Sequence, residues 1–324
     1  MSTPVLTIAT HERFAAELAG EMSIPHRLKT FGAASDLEMA ALLADTDALV
    51  WGAYKAAWRA PGAAPLRLVH STGAGTDGID FPALPPECTV CNVYGHQWGV
   101  AEHAFLLMMS LHKNLFGLDQ ALRKGDWTPQ RPYLPELRGR RLLILGLGHI
   151  GRELVRWGQF LGMPITVLTR NPDKDRAAHA GIAELGRLSD LGQHIAAADF
   201  VVVAIPAAEG TIDLIGAREL ALMKTTAFVI NVGRGPVINE TALYEALRDR
   251  RIAGAGLDVW YRYPAAGGSG LPSTAPFQEL DNVIMTPHKP TIETMAYRWK
   301  EIADNLARFS RGEALRSVVR PALP

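Results

Sequence analysis

The sequence predicts an α/β protein of about two domains, built on parallel sheets covered by helices, and three observations carry that expectation. The chain has 324 residues, about twice the ~150 of a common domain. Short apolar runs alternate with stretches of helical spacing along most of its length, the pattern of strands joined by crossover helices. A glycine-rich hexamer, Gly146-Leu147-Gly148-His149-Ile150-Gly151, lies between one such run and one such stretch.

In the first third, Val5–Ala9, Ala48–Trp51, Leu66–His70 and Thr89–Val93 read as strands, with helical spacing over Glu12–Ala19 and Leu37–Leu43. The apolar-rich run Glu102–Leu118 then predicts one long helix. Leu118–Arg138, with Gly125, Trp127, Pro129, Pro132, Tyr133 and Pro135, reads as an irregular excursion, and such stretches are more often functional or interfacial than filler. Beyond Arg140, Leu142–Leu145, Ile165–Leu168, Phe200–Ile205, Ala227–Asn231, Ala255–Val259 and Val283–Thr286 predict six buried strands, the count of a doubly wound dinucleotide fold. Helices are predicted over Gly151–Leu161, Thr241–Arg250 and Thr291–Arg311.

Composition excludes several classes. Lys+Arg and Asp+Glu both number 33, without the clustered basic excess of a nucleic-acid binder. A hydrophobic fraction of 48% with 20% charged is that of a globular chain. No window approaches the ~18–20 uninterrupted apolar residues of a membrane span. Met1-Ser2-Thr3-Pro4 lacks the basic and apolar regions of a secretory leader, so a cytoplasmic enzyme without membrane or nucleic-acid partners is expected. Cys88 and Cys91 form a C-x-x-C, but no other cysteine and no histidine pair at zinc-finger spacing accompanies it, so no metal is expected. Positions three apart on a strand face opposite sides, which predicts two small buried residues.

The hexamer matches G-x-G-x-x-G in the context that motif requires, after a strand and opening a helix. Gly146 permits the tight turn, Gly148 lets backbone approach a pyrophosphate, and Gly151 permits close helix packing. Amides of His149, Ile150 and Gly151 at the helix start then face the anion. An NAD site usually carries an acid about 20 residues on. Here the next strand ends in Thr169-Arg170-Asn171, a hydroxyl and a guanidinium that suit a 2′-phosphate. The expected cofactor is NADP, with NAD as the alternative.

Three further segments fall at strand ends: Asn231-Val232-Gly233-Arg234-Gly235, Gly256-Leu257-Asp258-Val259-Trp260 and Thr286-Pro287-His288. Carboxyl ends of strands line the ligand crevice of an open α/β sheet. An arginine there offers a fork for a carboxylate, and a histidine moves protons near neutral pH.

With these segments, and with Ser71-Thr72-Gly73-Ala74-Gly75-Thr76-Asp77, Ala101-Glu102-His103 and Ile205-Pro206 followed by Thr211, the chain resembles the D-isomer-specific 2-hydroxyacid dehydrogenase family over essentially its whole length. The resemblance implies a Rossmann-type doubly wound cofactor domain, residues 99–291, inserted into a flavodoxin-like α/β substrate domain, residues 1–98 plus 292–324. It implies a homodimer with residues 102–138 in the interface. It implies reversible hydride transfer between the nicotinamide and a small 2-oxo acid, of which glyoxylate and hydroxypyruvate are the family's examples. Arg234 would hold the carboxylate and polarise the carbonyl, His288 would protonate the alkoxide, and the amides of Ala74 and Gly75 would form an anion nest for the carboxylate. Ile205, Pro206, Thr211, Val232, Gly233 and Asp258 would complete the cofactor site, Asp258 beside the nicotinamide.

Two departures stand out. The family's glutamate, five residues past the aspartate of L-D-V and bonded to the histidine, is replaced by Tyr263. A phenol can hydrogen-bond an imidazole but brings no negative charge near neutral pH. The segment Pro287-His288-Lys289-Pro290-Thr291-Ile292-Glu293-Thr294 is shorter than the family's and lacks its glycine, which predicts a reshaped loop with Lys289 at the site mouth. These departures keep in view a dinucleotide-sensing regulatory protein with impaired turnover, and a further alternative on the same scaffold is a dehydrogenase of a non-2-oxo substrate such as formate or phosphite.

Overall fold

A computed structural model describes residues 5–59, 62, 66–127, 134–175, 181–264, 268–288 and 294–322. In chain order the elements are β1 Leu6–His11, α1 Glu12–Glu21, β2 His26–Phe31, α2 Asp36–Leu43, β3 Ala48–Val50, β4 Ala53–Tyr54, β5 Leu68–His70, β6 Gly78–Ile79 and β7 Thr89–Cys91. There follow α3 Gln97–His112, α4 Leu115–Arg123, β8 Leu142–Leu145, α5 His149–Phe160, β9 Ile165–Thr169, α6 Pro172–Asp175, β10 Glu184–Arg187, α7 Leu191–His194 and β11 Phe200–Val203. The chain closes with α8 Ala217–Leu222, β12 Phe228–Asn231, α9 Glu240–Arg248, β13 Gly254–Leu257, β14 Val283–Met285, α10 Thr294–Ser310 and β15 Val318–Arg320. It forms two compact units, residues 1–96 with 292–324, and residues 97–291.

The first unit is a six-stranded sheet in the order β15-β7-β5-β3-β1-β2. All pairs are parallel except β15 with β7. The order β2-β1-β3-β5-β7 is that of a flavodoxin-like sheet. Its two faces bury separate cores. Ala9, Leu49, Val69 and Val90 face Met39 and Trp58, whereas Ile8, Val50 and Leu68 face Trp299, Ile302 and Leu306 of α10. Cys88 lies in the first core and Cys91 in the second, both unpaired and buried. Burial pushes each thiol up to about 12, so these are inert packing residues.

His70 fastens the returning C-terminal segment to this sheet. Its Nδ1–H donates to Ser71 O at 3.0 Å, and its Nε2 accepts from Asn305 Nδ2 at 2.9 Å. Asn305 also exchanges hydrogen bonds with the backbone of Arg316, 3.0 Å from Nδ2 and 2.9 Å to Oδ1. The ring is fully buried and its pKa is lowered to about 4 by desolvation.

The second unit is a seven-stranded, wholly parallel sheet in the order β10-β9-β8-β11-β12-β13-β14. Counted from β8 this is the doubly wound order 3-2-1-4-5-6 with one further strand. The count exceeds the six expected because β10, Glu-Leu-Gly-Arg, is an edge strand without an apolar run. Nor is Glu102–Leu118 one helix: α3 and α4 break at Lys113-Asn114, where Asn114 takes φ +50°, a left-handed conformation that asparagine tolerates better than most residues. Part of the predicted excursion is therefore helical, while 128–133 lie outside the described residues. α3 is buried along Ala101, Ala104, Phe105 and Met108, packing on the same face of the sheet as α5.

Candidate active site

Every chemistry-bearing residue expected in the second unit lies at the carboxyl edge of its sheet. At the end of β8, Gly146 has φ +103°, and a Cβ there would stand 2.6 Å from Ile205 Cγ2. A Cβ on Gly151 would stand 2.0 Å from Gly146 O, whereas one on Gly148 would meet nothing within 4 Å. The first and third glycines thus close the turn, and the second leaves open space where a pyrophosphate would approach. Gly148 caps α5 with no side-chain hydrogen bond, so no side chain of the cap occupies the amides that favour an anion. His149 is exposed and Ile150 half-buried on that first turn. These residues fit a dinucleotide phosphate.

Thr169 ends β9, nearly buried, in register with Arg187 of β10. Arg170 and Asn171 follow, both exposed. Arg187 Nη2 pairs with Asp173 at 3.1 Å, so a second guanidinium, unnoticed in the sequence, stands one strand away from Thr169. Past β11, Ile205 is buried and Pro206 exposed. Thr211 Oγ1 donates to Pro206 O at 2.8 Å and accepts from Ala208 N at 2.8 Å. Its hydroxyl therefore shapes this loop.

After β12, Asn231 acts as a clamp. Its Oδ1 accepts from Gly233 N at 3.1 Å and its Nδ2 donates to Arg234 O at 3.0 Å. Val232 and Gly233 are buried beneath, and Arg234 is half-buried with Nη1 donating to Gly233 O at 2.8 Å. Asp258, one residue past β13, is nearly fully buried. Thr286 Oγ1 donates to Asp258 Oδ1 at 2.7 Å, which leaves His103 of α3 as donor, its Nε2 lying 3.0 Å from Thr286 Oγ1 and 3.4 Å from Asp258 Oδ1. Sequence reasoning missed His103 and Thr286 as partners, because only the packing of α3 on this sheet brings residue 103 to residue 286.

His288 lies three residues past β14, exposed, with φ +55°. A non-glycine residue in the left-handed region stores strain of the kind that clusters at functional sites. Tyr263 Oη is 3.0 Å from His288 Nδ1 and accepts from Trp260 N at 3.1 Å. Trp260 Nε1 donates to Thr286 O at 2.8 Å, tying the segment after β13 to that leading to His288. Lys289 and the remainder of the reshaped loop, 289–293, lie outside the described residues. β12, β13 and β14 are neighbours, so Arg234, Asp258 and His288 leave adjacent strands at one edge, with strands ~5 Å apart.

In the first unit, the loop after β5 holds Ala74 and Gly75, both half-buried. Ser71 Oγ donates to Gly75 O at 2.8 Å, and Asn92 Nδ2 donates to Ala74 O at 2.8 Å. The carbonyls are thereby held, and among the described residues neither amide donates a hydrogen bond.

Cavities of about 340 and 840 Å³ open at the other end of the second unit's sheet, around Phe200, Phe228 and Ala253. They stand away from the chemistry, and the edge that carries the glycine turn outweighs them as the site. Among the described residues no metal-ligating cluster forms and no helix is long and apolar enough to cross a membrane.

A doubly wound parallel sheet with this glycine turn at its first strand defines a dinucleotide-binding α/β protein. Residues 105–289 match the family model described as "D-isomer specific 2-hydroxyacid dehydrogenase, NAD binding domain". The chain belongs to that family. It is 30% identical over 258 residues to a D-3-phosphoglycerate dehydrogenase of Archaeoglobus fulgidus, covering 78% of this chain and 47% of that one. The chain thus spans about half the length of such relatives. It is 33% identical over 264 residues to a glyoxylate reductase of Korarchaeum cryptofilum, covering 78% and 75%. Among solved structures, an NADPH-dependent glyoxylate/hydroxypyruvate reductase from Sinorhizobium meliloti, in complex with NADP and malonate, superposes with a TM-score of 0.81 at 27% identity, covering 98% of this chain and 97% of that one.

Proposed function

We propose that this chain is an NADP(H)-preferring reductase of small 2-oxo acids, working reversibly as a 2-hydroxyacid dehydrogenase. The observation that carries the reading is the delivery of Arg234 and His288 to one sheet edge, from β12 and β14 on either side of β13, at the same edge as the glycine turn. A dihydronicotinamide held at the glycine turn would supply the hydride for the carbonyl carbon. Arg234, its main chain clamped by Asn231, pairs its guanidinium with the substrate carboxylate and polarises the carbonyl. His288 delivers the proton to the developing alkoxide. In the first unit by itself, the amides of Ala74 and Gly75 form a nest suited to a carboxylate. Asp258, held by Thr286 and His103, offers an acceptor to the carboxamide of the ring. Thr169 and Arg170 take the 2′-phosphate, which sets the preference for NADP(H) over NAD(H).

The name and NADP complex of the S. meliloti protein support glyoxylate-like substrates and this cofactor. The protein is further read as a cytoplasmic homodimer. Leu106, Leu115, Phe116, Leu122 and Trp127 are each more than half exposed along α3, α4 and the segment beyond, an apolar face that a second copy would cover; light scattering at micromolar concentration should return twice the 35.2 kDa chain mass.

The test is a panel of 2-oxo acids, glyoxylate and hydroxypyruvate first, against NADPH and NADH. Oxidation of NADPH that His288→Ala slows by on the order of 10²–10⁴ is the expected result. Binding of NADPH with no turnover on any substrate would make the chain a sensor, and turnover on formate or phosphite alone would move it to another reaction.

A further inference from the structure

We propose that Tyr263 is the proton source behind His288, so that this site works with a neutral phenol–imidazole pair in place of a carboxylate–imidazolium pair. The inference rests on the proposed reduction of a carbonyl and concerns where its proton comes from.

Three atoms carry the argument. Trp260 N–H donates to Tyr263 Oη at 3.1 Å, and Tyr263 Oη lies 3.0 Å from His288 Nδ1. A backbone amide can only donate, so the phenol oxygen accepts there and its own hydrogen is available for the imidazole. Beside a neutral imidazole it donates to Nδ1, which leaves the ring proton on Nε2. Nε2 is then the donor directed away from the Tyr263 pair, the role an acid for an alkoxide requires. The phenol thereby selects the tautomer, and the tether of Trp260 Nε1 to Thr286 O at 2.8 Å holds the segment that leads to His288.

The step balances without any further reactant. The dinucleotide supplies two electrons and one hydrogen to the carbonyl, and the protein supplies one proton. The Nε2–H bond of His288 breaks as the substrate O–H bond forms. The Tyr263 O–H bond breaks as the Nδ1–H bond forms, so the ring stays neutral and never becomes imidazolate. The resulting phenolate keeps the Trp260 N–H as hydrogen-bond donor until Nε2 takes up a proton from solvent and Nδ1 returns its own to the phenolate, which restores both groups. A phenol, with an ordinary pKa of ~10, is loaded with its proton throughout the neutral range. An imidazole that had to be cationic would instead need a charged partner to remain so.

The decisive measurement is ¹⁵N NMR of the His288 ring in the whole chain without dinucleotide at pH 8. The expected result is an unprotonated, hydrogen-bonded Nδ1 and a protonated Nε2. A proton resident on Nδ1 would overturn the proposal, whatever the enzyme reduces. In Tyr263→Glu, Nδ1 should become protonated at the same pH, as a carboxylate draws the ring into its cationic form. The kinetic counterpart is a proton inventory of the reduction in mixed H₂O and D₂O. Wild type should give the curved dependence of two protons in flight, and Tyr263→Phe should be slower by on the order of 10²-fold with a linear, one-proton dependence. A linear inventory in wild type would remove Tyr263 from the proton path. Absence of any turnover would instead count against the proposed reaction and leave the NMR result to judge the pair.

Discussion

Two histidines, one in each unit, are held by uncharged side chains in opposite surroundings. His70 is fully buried, donating to a backbone carbonyl and accepting from Asn305. His288 is exposed, strained at φ +55°, and meets the hydroxyl of Tyr263. Tyr263 and Asn305 are both uncharged partners, so the partner's lack of charge does not decide function. Position does. His70 lies inside a sheet whose return segment it fastens, whereas His288 stands past the carboxyl end of an edge strand, where ligands of open α/β sheets bind.

The sharpest way to break this contrast is to remove each ring. His288→Ala should cut the reduction rate by on the order of 10²–10⁴ while leaving the thermal midpoint within a degree or two, because an exposed loop residue contributes little packing. A large fall in the midpoint would show His288 to be structural.

His70 should behave in the reverse sense, and its effect depends on pH. The ring takes a proton near 6.5 when unfolded and only near about 4 when folded. The unfolded chain therefore binds the proton first as pH falls. The stabilisation is complete above about pH 6.5 and is lost on acidification toward 4, amounting to at most about 3 kcal/mol. A proton on Nε2 would also confront the amide donor of Asn305, which is the atomic form of that penalty. Chemical unfolding of wild type and His70→Gln between pH 7 and 4 should show the steeper acid loss in wild type only. Parallel curves would mean that another group governs acid sensitivity.

A third histidine refines the comparison. His103 reaches a carboxylate, Asp258, yet that carboxylate is buried and already accepts from Thr286. Removing one donor from a buried carboxylate costs about 1–3 kcal/mol. His103→Phe and Thr286→Val should each destabilise by that order, and the double variant should lose less than their sum, since all three groups share one network. Strict additivity would show that the contacts are independent.

How much of this was legible in the sequence follows from burial. The interior strands of the second unit, β9, β8, β11, β12 and β13, announce themselves because both faces are covered and most of their residues are apolar. Of the strands that passed unread, β4 and β6 are two-residue members of a two-stranded sheet, and β2, β10 and β15 are edges of the larger sheets. β2, His-Arg-Leu-Lys-Thr-Phe, carries Arg27 and Lys29, which pair with Asp45. Charge on an edge protects it from further pairing and hides it from a search for apolar runs. The break at Asn114 was unreadable for a different reason, since asparagine also sits in ordinary helices and only its φ tells them apart. At the site, local motifs such as Gly146–Gly151 and Asn231–Gly235 could be read because each is one turn with its own chemistry. The contacts of Asp258 with His103 and of Tyr263 with Trp260 depend on how separate segments pack or fold back, and spacing alone does not encode them.

The cofactor edge offers a test in affinity instead of stability. Thr169 ends β9 beside Arg187 of β10, and Arg187 is already engaged by Asp173 at 3.1 Å. Arg170 is exposed one residue beyond and makes no ion pair among the described residues. Of the two guanidiniums, the one without a carboxylate partner is therefore better suited to a 2′-phosphate, because Arg187 would first have to leave Asp173. A charge-assisted hydrogen bond contributes about 1.5–3 kcal/mol, roughly tenfold to a hundredfold in affinity. Arg170→Glu should raise the KM for NADPH by at least about tenfold while moving that for NADH by less than about threefold. Arg187→Ala should change the ratio less and should also loosen β10 against α6. If both cofactors weaken equally in Arg170→Glu, the discrimination does not reside at the end of β9, and the preference for the phosphorylated dinucleotide loses its residue.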